Sequence, residues 1–402
     1  MLLVNYPLWL QGLFTAAVTL GAGTSLFVFV LNRQLSYVEF LHRRVLLGGF
    51  FGTLACAAAS GLAVSNQVLA GLWLRAYLLV PGGILLFLLI GEMRLVVQRW
   101  LYRASPPVVS GNFRFDGHKL VVRTDNPTHG WAHPVTTTDL VVTRYDVEVQ
   151  GLALPPGSTG ETVKVVQLSD FHFSPRLPFA YFRGAVEQAI REQADLVLLT
   201  GDFVTFQEDA ARLPELFDGL GGRLGIFATL GNHDYWAGSQ PVVQSLRQAC
   251  VHLIANDCVR MPLWQDVSLR LCGCDDPWGR PAWQPPVFQE GDLNLIISHS
   301  SDNIYMLRRY PFAGVFSGHF HAGQVRLPGF GSIVLPSRYG RRFDHGHYRF
   351  RQDPRPGRLG LAETHLFVSA GVGSATPLLR IYCQPDIFVV NFNIVPQRSR
   401  VG

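Results

Sequence analysis

The sequence predicts an α/β protein preceded by an α-helical membrane region of about three spans. Three observations predict it. Long uncharged apolar runs fill the first hundred residues. From about residue 140, buried-strand runs alternate with helical or loop segments. Polar residues of a narrow set of types recur just after those strand runs. At 402 residues the chain is long enough for more than one domain and a sizeable core.

The apolar runs come first. Residues 1–32 and Val45–Leu74 contain no Asp, Glu, Lys or Arg, and Leu69–Gly91 contains only Arg75. A bilayer core of about 30 Å takes about 20 helical residues. The runs therefore predict spans near 11–31, 45–64 and 70–91. A cleaved signal peptide fits less well, because no basic residues precede the first run. The stretch "GGFFG" (Gly48–Gly52) either lets the second and third spans pack closely or is ordinary small-residue composition. Arg33, Arg43 and Arg44 follow the first span, and Arg94, Arg99 and Arg103 follow the third. Only Arg75 lies on the other side. The positive-inside rule then puts the N-terminus outside and the large C-terminal part in the cytoplasm, as an integral inner-membrane protein. The same arginines explain the net charge of +5: residues 1–103 carry 7 basic and 2 acidic residues, and the remainder is balanced. A neutral soluble part argues against nucleic acid as a partner, since such binding needs a phosphate-neutralising surface.

Residues 104–140 are rich in turn formers ("SPP", "GNFRFDG", "NPTHGWAHP") and have no helical period, which predicts a linker with a short hairpin. The domain organisation is then a transmembrane region at 1–103, a linker at 104–140 and an α/β domain at 141–402. Within that domain "VKVVQL" (163–168) reads as a buried strand and "AYFRGAVEQAIREQ" (180–193) as a helix. Further strands are "DLVLLT" (195–200), "LGIFATL" (224–230), "VSLRLCG" (267–273), "LNLIISH" (293–299) and "AGVFSG" (313–318). "HLFVSAG" (365–371) and "DIFVVNFNIV" (386–395) complete the series. Of six cysteines, Cys56 lies in a span. Cys250, Cys258, Cys272, Cys274 and Cys383 have no regular spacing, which predicts free thiols in a reducing cytoplasm. "CGC" (Cys272–Cys274) reads either as a soft-metal site or as small residues at a strand end.

The polar residues at strand ends carry the chemistry. Asp170 and His172 follow one strand, Asp202 the next, and Asn232, His233 and Asp234 the third. His299 ends a fourth strand, and His319 and His321 follow a fifth. Ligands of α/β sheets bind at the carboxyl ends of strands. Any one such residue is ordinarily a solvated turn; five successive strand ends carrying Asp, Asn or His predict a shared site. Imidazole and carboxylate suit borderline divalent metals, and Mn, Fe, Zn and Mg all use such ligands. Two metals about 3.5–4 Å apart clamp both oxygens of an in-line phosphoryl displacement.

The motifs "DFH", "GD", "GNHD", "SH" and "GHFH", in that order, resemble the calcineurin-like metallophosphoesterase superfamily. The resemblance implies a two-sheet sandwich flanked by helices and two divalent metal ions as cofactors. It implies that Asp170, His172, Asp202 and His321 hold one metal, that Asp202 bridges, and that Asn232, His299 and His319 hold the other. It gives His233 the role of general acid or electrostatic stabiliser. Relatives often carry a second Asp where this chain has Thr205; either Asp234 takes over the orientation of His233, or His233 contributes less. "HAGQ" and "LPSRYGRRFDHG" are similar to a membrane-associated bacterial branch that includes a UDP-2,3-diacylglucosamine pyrophosphatase. Arg338, Arg341 and Arg342 would then hold a second phosphate, or form a solvated basic loop. Trp278 and Trp283 in "DDPWGRPAWQPPVF" read as a headgroup-layer contact or a Pro-braced surface loop.

The expectation is a membrane-anchored, dimetal hydrolase of a phosphoester or pyrophosphate bond. Anchoring favours a lipid-linked substrate such as UDP-2,3-diacylglucosamine. The alternatives are a phosphodiesterase or nuclease acting on soluble nucleotides or nucleic acid, and a non-catalytic metal-binding membrane sensor.

Overall fold

The computed structural model describes residues 7–34, 43–65, 71–104, 107–123, 134–150, 152, 160–264, 267–289, 291–328, 331–351 and 363–395. The chain divides into two compact units, Met1–Leu101 with Val334–Arg342, and Tyr102–Ile333 with Phe343–Gly402.

The first unit is built on three helices, α1 (Leu8–Gln34), α2 (Arg43–Ser65) and α3 (Gly71–Tyr102). Close packing joins α1 to α2: a Cβ on Gly61 would lie 3.0 Å from the Gly12 carbonyl oxygen and from Ala16 Cβ, and one on Gly23 would collide with Thr53. Of "GGFFG", the side-chain surroundings of Gly48 lie outside the described residues; at Gly52, nothing among the described residues lies within 4 Å of where a Cβ would stand. Among the described residues one helix, Leu78–Tyr102, is long and apolar enough to cross a membrane. Its large side chains face outward, Leu79, Phe87 and Trp100 among them.

The second unit opens with β1 (Val108–Phe115), β2 (Leu120–Val122), β3 (Val141–Val149), β4 (Glu161–Leu168), α4 (Phe179–Arg191), β5 (Leu196–Leu199), α5 (Leu213–Leu216) and β6 (Gly225–Ala228). Then come α6 (Asn232–Ala237), α7 (Ser239–Gln248), β7 (His252–Leu253), β8 (Cys258–Trp264), β9 (Val267–Cys274), β10 (Leu293–Ser300), α8 (Ile304–Leu307) and β11 (Gly314–Gly318). It closes with β12 (Arg326–Leu327), β13 (Gly331–Ser332), β14 (Gly346–Arg351), β15 (Glu363–Val368) and β16 (Asp386–Ile394).

These strands make two large mixed sheets, ordered β2-β1-β3-β16-β4-β5-β6-β7 and β14-β15-β11-β10-β9-β8. Alternation explains the layering. Val163 and Val165 of β4, with Leu196 and Leu198 of β5, enter the core between the sheets. Val166, Leu168, Val197 and Leu199 point the other way, into a core with Tyr181, Phe182 and Ala185 of α4. Both faces are covered, so the strands read as continuous apolar runs. Between the two sheets, the Gln167 amide donates to the Ser317 carbonyl at 2.9 Å and ties β4 to β11 just below the strand ends.

The short hairpin expected in the 104–140 stretch is β1–β2, and β1 also pairs antiparallel with β3, so the hairpin extends the eight-stranded sheet. One expectation needs correction: the cysteines are not all free. Cys258 and Cys272 face each other across β8 and β9, with Cα atoms 4.1 Å apart, and form a disulfide. The spacing of 14 residues carried no sign of that register. Cys272 is taken by that disulfide, which leaves "CGC" without a pair of thiols, and Cys274 is a buried thiol pushed up to about 12, by burial above all.

Candidate metal centre

The parallel strands β4, β5 and β6 of one sheet, and β10 and β11 of the other, end at one place. The loops leaving them are bound together. Asp170 N–H donates to the Gly201 carbonyl and His172 N–H to the Asp202 carbonyl, each at 2.9 Å. Two glycines permit the approach: a Cβ on Gly231 would strike the Asp202 carboxylate, and one on Gly318 would strike Ser169 and Asp170. The ligands leave their strands through sharp backbone turns. Asp170, His172, Asp202, His319 and His321 all have positive φ, between 42° and 70°. Side chains with a Cβ rarely adopt this region, and such strain concentrates at functional sites.

The side chains converge in two groups that share Asp202. Asp170, His172, Asp202 and His321 form one; Asp202, His299 and His319 form the other, and within each group the candidate ligand atoms lie within 4.8 Å of one another. Asp202 Oδ2 is 3.4 Å from His172 Nε2 and 3.2 Å from His299 Nε2. His172 Nε2 faces His321 Nε2 at 2.8 Å, and His321 Nε2 is 3.4 Å from Asp170 Oδ1. Asn232 Oδ1 lies 3.2 Å from His299 Nε2. All seven side chains are buried. A buried imidazole pair facing two carboxylates is a donor set of the right chemistry for a divalent cation.

The electrostatics of Asp202, His319 and His321 agree with that fit. Burial would raise the Asp202 carboxyl, but His299 and His233 hold it well below the usual carboxylate range. Burial, with Asp202 beside it, raises the Asp170 carboxyl. His319 and His321 are held neutral, first by burial and then by neighbouring imidazoles, as ligation requires. Burial disfavours the charged form of His299, yet Asp202 raises it to about 9. His299 Nδ1 lies 2.6 Å from the Thr200 carbonyl, which fixes the proton on Nδ1 and turns Nε2 to the site.

His233 is the second residue of α6, where its backbone N–H donates to Asp202 Oδ1 at 2.8 Å. Its ring stands edge-on to His172 and beside Trp236. Asp234 is engaged elsewhere: it accepts from the backbone N–H groups of Gly231, Asp202, Phe203 and Val204. Thr205 donates its hydroxyl to the His172 carbonyl at 3.1 Å. Both residues therefore brace the loops. Arg341 is buried, and Arg338, Arg341 and Arg342 belong to the Val334–Arg342 segment of the first unit. They are not part of the two ligand groups.

Three contributors escaped the sequence reading. Arg380 is wholly buried; it donates to the carbonyls of Ala370, Gly371 and Gly373 and to Ser374, and approaches His321 Nδ1 to 3.4 Å. It is the one charged residue in "SAGVGSATPLLR", which was the available signal. Asp275 is buried, with its carboxyl raised to about 7 by burial, and accepts from the Tyr235 hydroxyl at 2.8 Å. Trp278 stands edge-on to His319 and His299, with ring centres 5.2 and 5.7 Å away. Trp283 is buried against Tyr310 and Phe312, so it is not the headgroup contact that was one reading of this loop, and the half-buried Trp278 lies against the candidate ligands.

Residues 163–323 match the family model of the calcineurin-like phosphoesterases. The chain carries a calcineurin-like metallophosphoesterase domain. The metallophosphoesterase domain is that of a metal-dependent hydrolase, and two divalent ions are its family's cofactor. Phosphodiesterase YaeI of Escherichia coli is 26% identical over 231 residues, 56% of this chain and 80% of its own. An uncharacterized metallophosphoesterase of Bacillus subtilis, YkuE, is 26% identical over 60% of this chain and 82% of its own. The UDP-2,3-diacylglucosamine pyrophosphatase LpxG of Chlamydia muridarum is 27% identical over 41% of this chain and 65% of its own. Among solved structures, the NAD nucleotidase of Haemophilus influenzae matches 54% of this chain at 12% identity and a TM-score of 0.37. The chain spans about half the length of that protein.

Proposed function

We propose that the protein is a membrane-anchored, dimetal hydrolase of phosphodiester or pyrophosphate bonds, with a lipid-linked substrate. The observation that carries the hydrolase reading is Asp202, whose one carboxylate oxygen reaches an imidazole of each ligand group. Two divalent ions bound there would supply Lewis-acid stabilisation of the phosphoryl group and activate water for in-line displacement. The chain's own residues do the rest. Asp170, His172 and His321 would hold one ion, Asn232, His299 and His319 the other, and Asp202, common to both groups, would serve both. His233, fixed by its N–H to Asp202, donates a proton or hydrogen bond to the leaving oxygen. Asp234 and Thr205 keep the ligand loops from relaxing.

The lipid-linked substrate is supported by the outward-facing apolar side chains of Leu78–Tyr102 and by the name of the LpxG relatives. The arginine asymmetry favours a cytoplasmic catalytic unit in the inner membrane. A phosphate-binding role for Arg338, Arg341 and Arg342 rests on guanidinium chemistry; Arg338→Ala should then raise KM for a pyrophosphate but not for a simple diester. The decisive assay is hydrolysis of bis-(p-nitrophenyl) phosphate with added manganese, followed by a diacylated sugar nucleotide in mixed micelles. No turnover of either would leave a non-catalytic metal-binding protein. Turnover of soluble nucleotides alone would remove the lipid.

A further inference from the structure

The Trp278 loop is a fixed wall of the metal centre. Asp275 N–H donates to Asn256 Oδ1 at 2.7 Å, and Asn303 donates to the Asp276 carbonyl at 2.9 Å. The Tyr235–Asp275 hydrogen bond fastens the loop to α6, the helix that opens with Asn232 and His233. Trp283 anchors its far end in an aromatic cluster. Between these ties the half-buried indole of Trp278 lies against both imidazoles of the second ligand group. On the other side, Trp236 lies beside His233 and is 40% exposed.

A phosphate held between the two groups must project its ester substituents past these rings. A rigid indole favours a flat ring over a flexible chain. Stacking loses little side-chain freedom on a wall that is already ordered, and aromatic faces attract nucleobases whatever their edge pattern. We propose that Trp278 is a specificity-determining residue that stacks on a nucleobase carried by the non-leaving side of the substrate, so that the substrates are nucleoside phosphodiesters or nucleoside diphosphate esters. This rests on the phosphoesterase reading above and names the part of the substrate that the domain recognises.

The test compares two esters with the same leaving group, thymidine 5′-p-nitrophenyl phosphate and methyl p-nitrophenyl phosphate, using the full-length protein with manganese. The wild type should prefer the nucleoside ester in kcat/KM. Trp278→Ala should lower that preference about tenfold, the scale of one base–aromatic stack. Trp278→Phe should retain most of it, and Trp278→Leu, apolar but not flat, should lose it. A wild type that shows no preference, a Trp278→Ala protein that loses both activities in equal proportion, or a Trp278→Leu protein that matches Trp278→Phe would each overturn the proposal. If the wild type turns over neither ester, the phosphoesterase reading itself falls, and this assignment with it.

Discussion

Asp202 is where the two ligand groups meet, so its loss should be felt by both metals. Asp202→Asn keeps the shape and removes the charge. Metal content, measured by elemental analysis of purified protein, should fall at both positions, with activity down about a hundredfold or more. A mutant with full metal content and full activity would refute the site assignment. Thr205 makes a different prediction. Its hydroxyl serves the His172 carbonyl and not the His233 ring. Thr205→Ala should therefore cost about 1 kcal/mol of stability, read from denaturation, and leave kcat close to the parent value. A large loss of kcat with unchanged stability would restore the orienting role expected from the sequence. Asp234 gathers four backbone N–H groups from two loops, and stands next to His233 in sequence without serving it. Adjacency in the chain suggested one partner; the turn at the start of α6 gave it others.

At the level of elements, the strand ends set the chemistry and the strand faces set the stability. On one face of the β14–β15 pair, His347 Nε2 meets His365 Nδ1 at 2.9 Å, and His347 stacks on Phe367. Burial first, then the neighbouring cations, holds His347 down at about 3 and His365 at about 4. Unfolded histidine titrates near 6.5. Between about 6.5 and 4 the unfolded chain thus binds more protons than the folded one, so stability rises with pH through that window and is lost as pH falls. His365→Gln should flatten the dependence of melting temperature on pH between about 4 and 6.5 relative to the parent. An unchanged slope would show that other groups govern acid unfolding. At the site, Gly318→Ala would drive a methyl into Ser169 and the Asp170 carboxylate, so it should lower metal affinity even though the substitution is the smallest available.

For the whole molecule, two observations bear on the compartment, and they point in opposite directions. The arginine asymmetry, by the positive-inside rule, favours a cytoplasmic catalytic unit, while the Cys258–Cys272 disulfide favours oxidising surroundings. A C-terminal fusion to a reporter active only in the cytoplasm, read beside one active only outside, separates them. With a cytoplasmic unit, acid trapping and alkylation of intact cells should label Cys258 and Cys272 as thiols. With an outside unit, both should resist labelling until reduced. Either result fixes which nucleotides and lipids the domain can meet.

What the sequence determined by itself is what short range dictates. The apolar runs at the N-terminus form helices, and the candidate ligands sit within four residues of the ends of apolar strands. "DFH", "GD", "GNHD", "SH" and "GHFH" were therefore legible as a set, because each motif lies at the end of its own strand. Tertiary structure decided everything that depends on register and on contact between distant segments. The pairing of β8 with β9 chose which cysteines meet. The return of the chain after β15 brought Arg380 to His321, 59 residues away. The pinning of the 275–283 loop turned Trp278 toward His299 and His319. A local pattern records which face of a strand is apolar, but it does not record which loop will close over that strand's end.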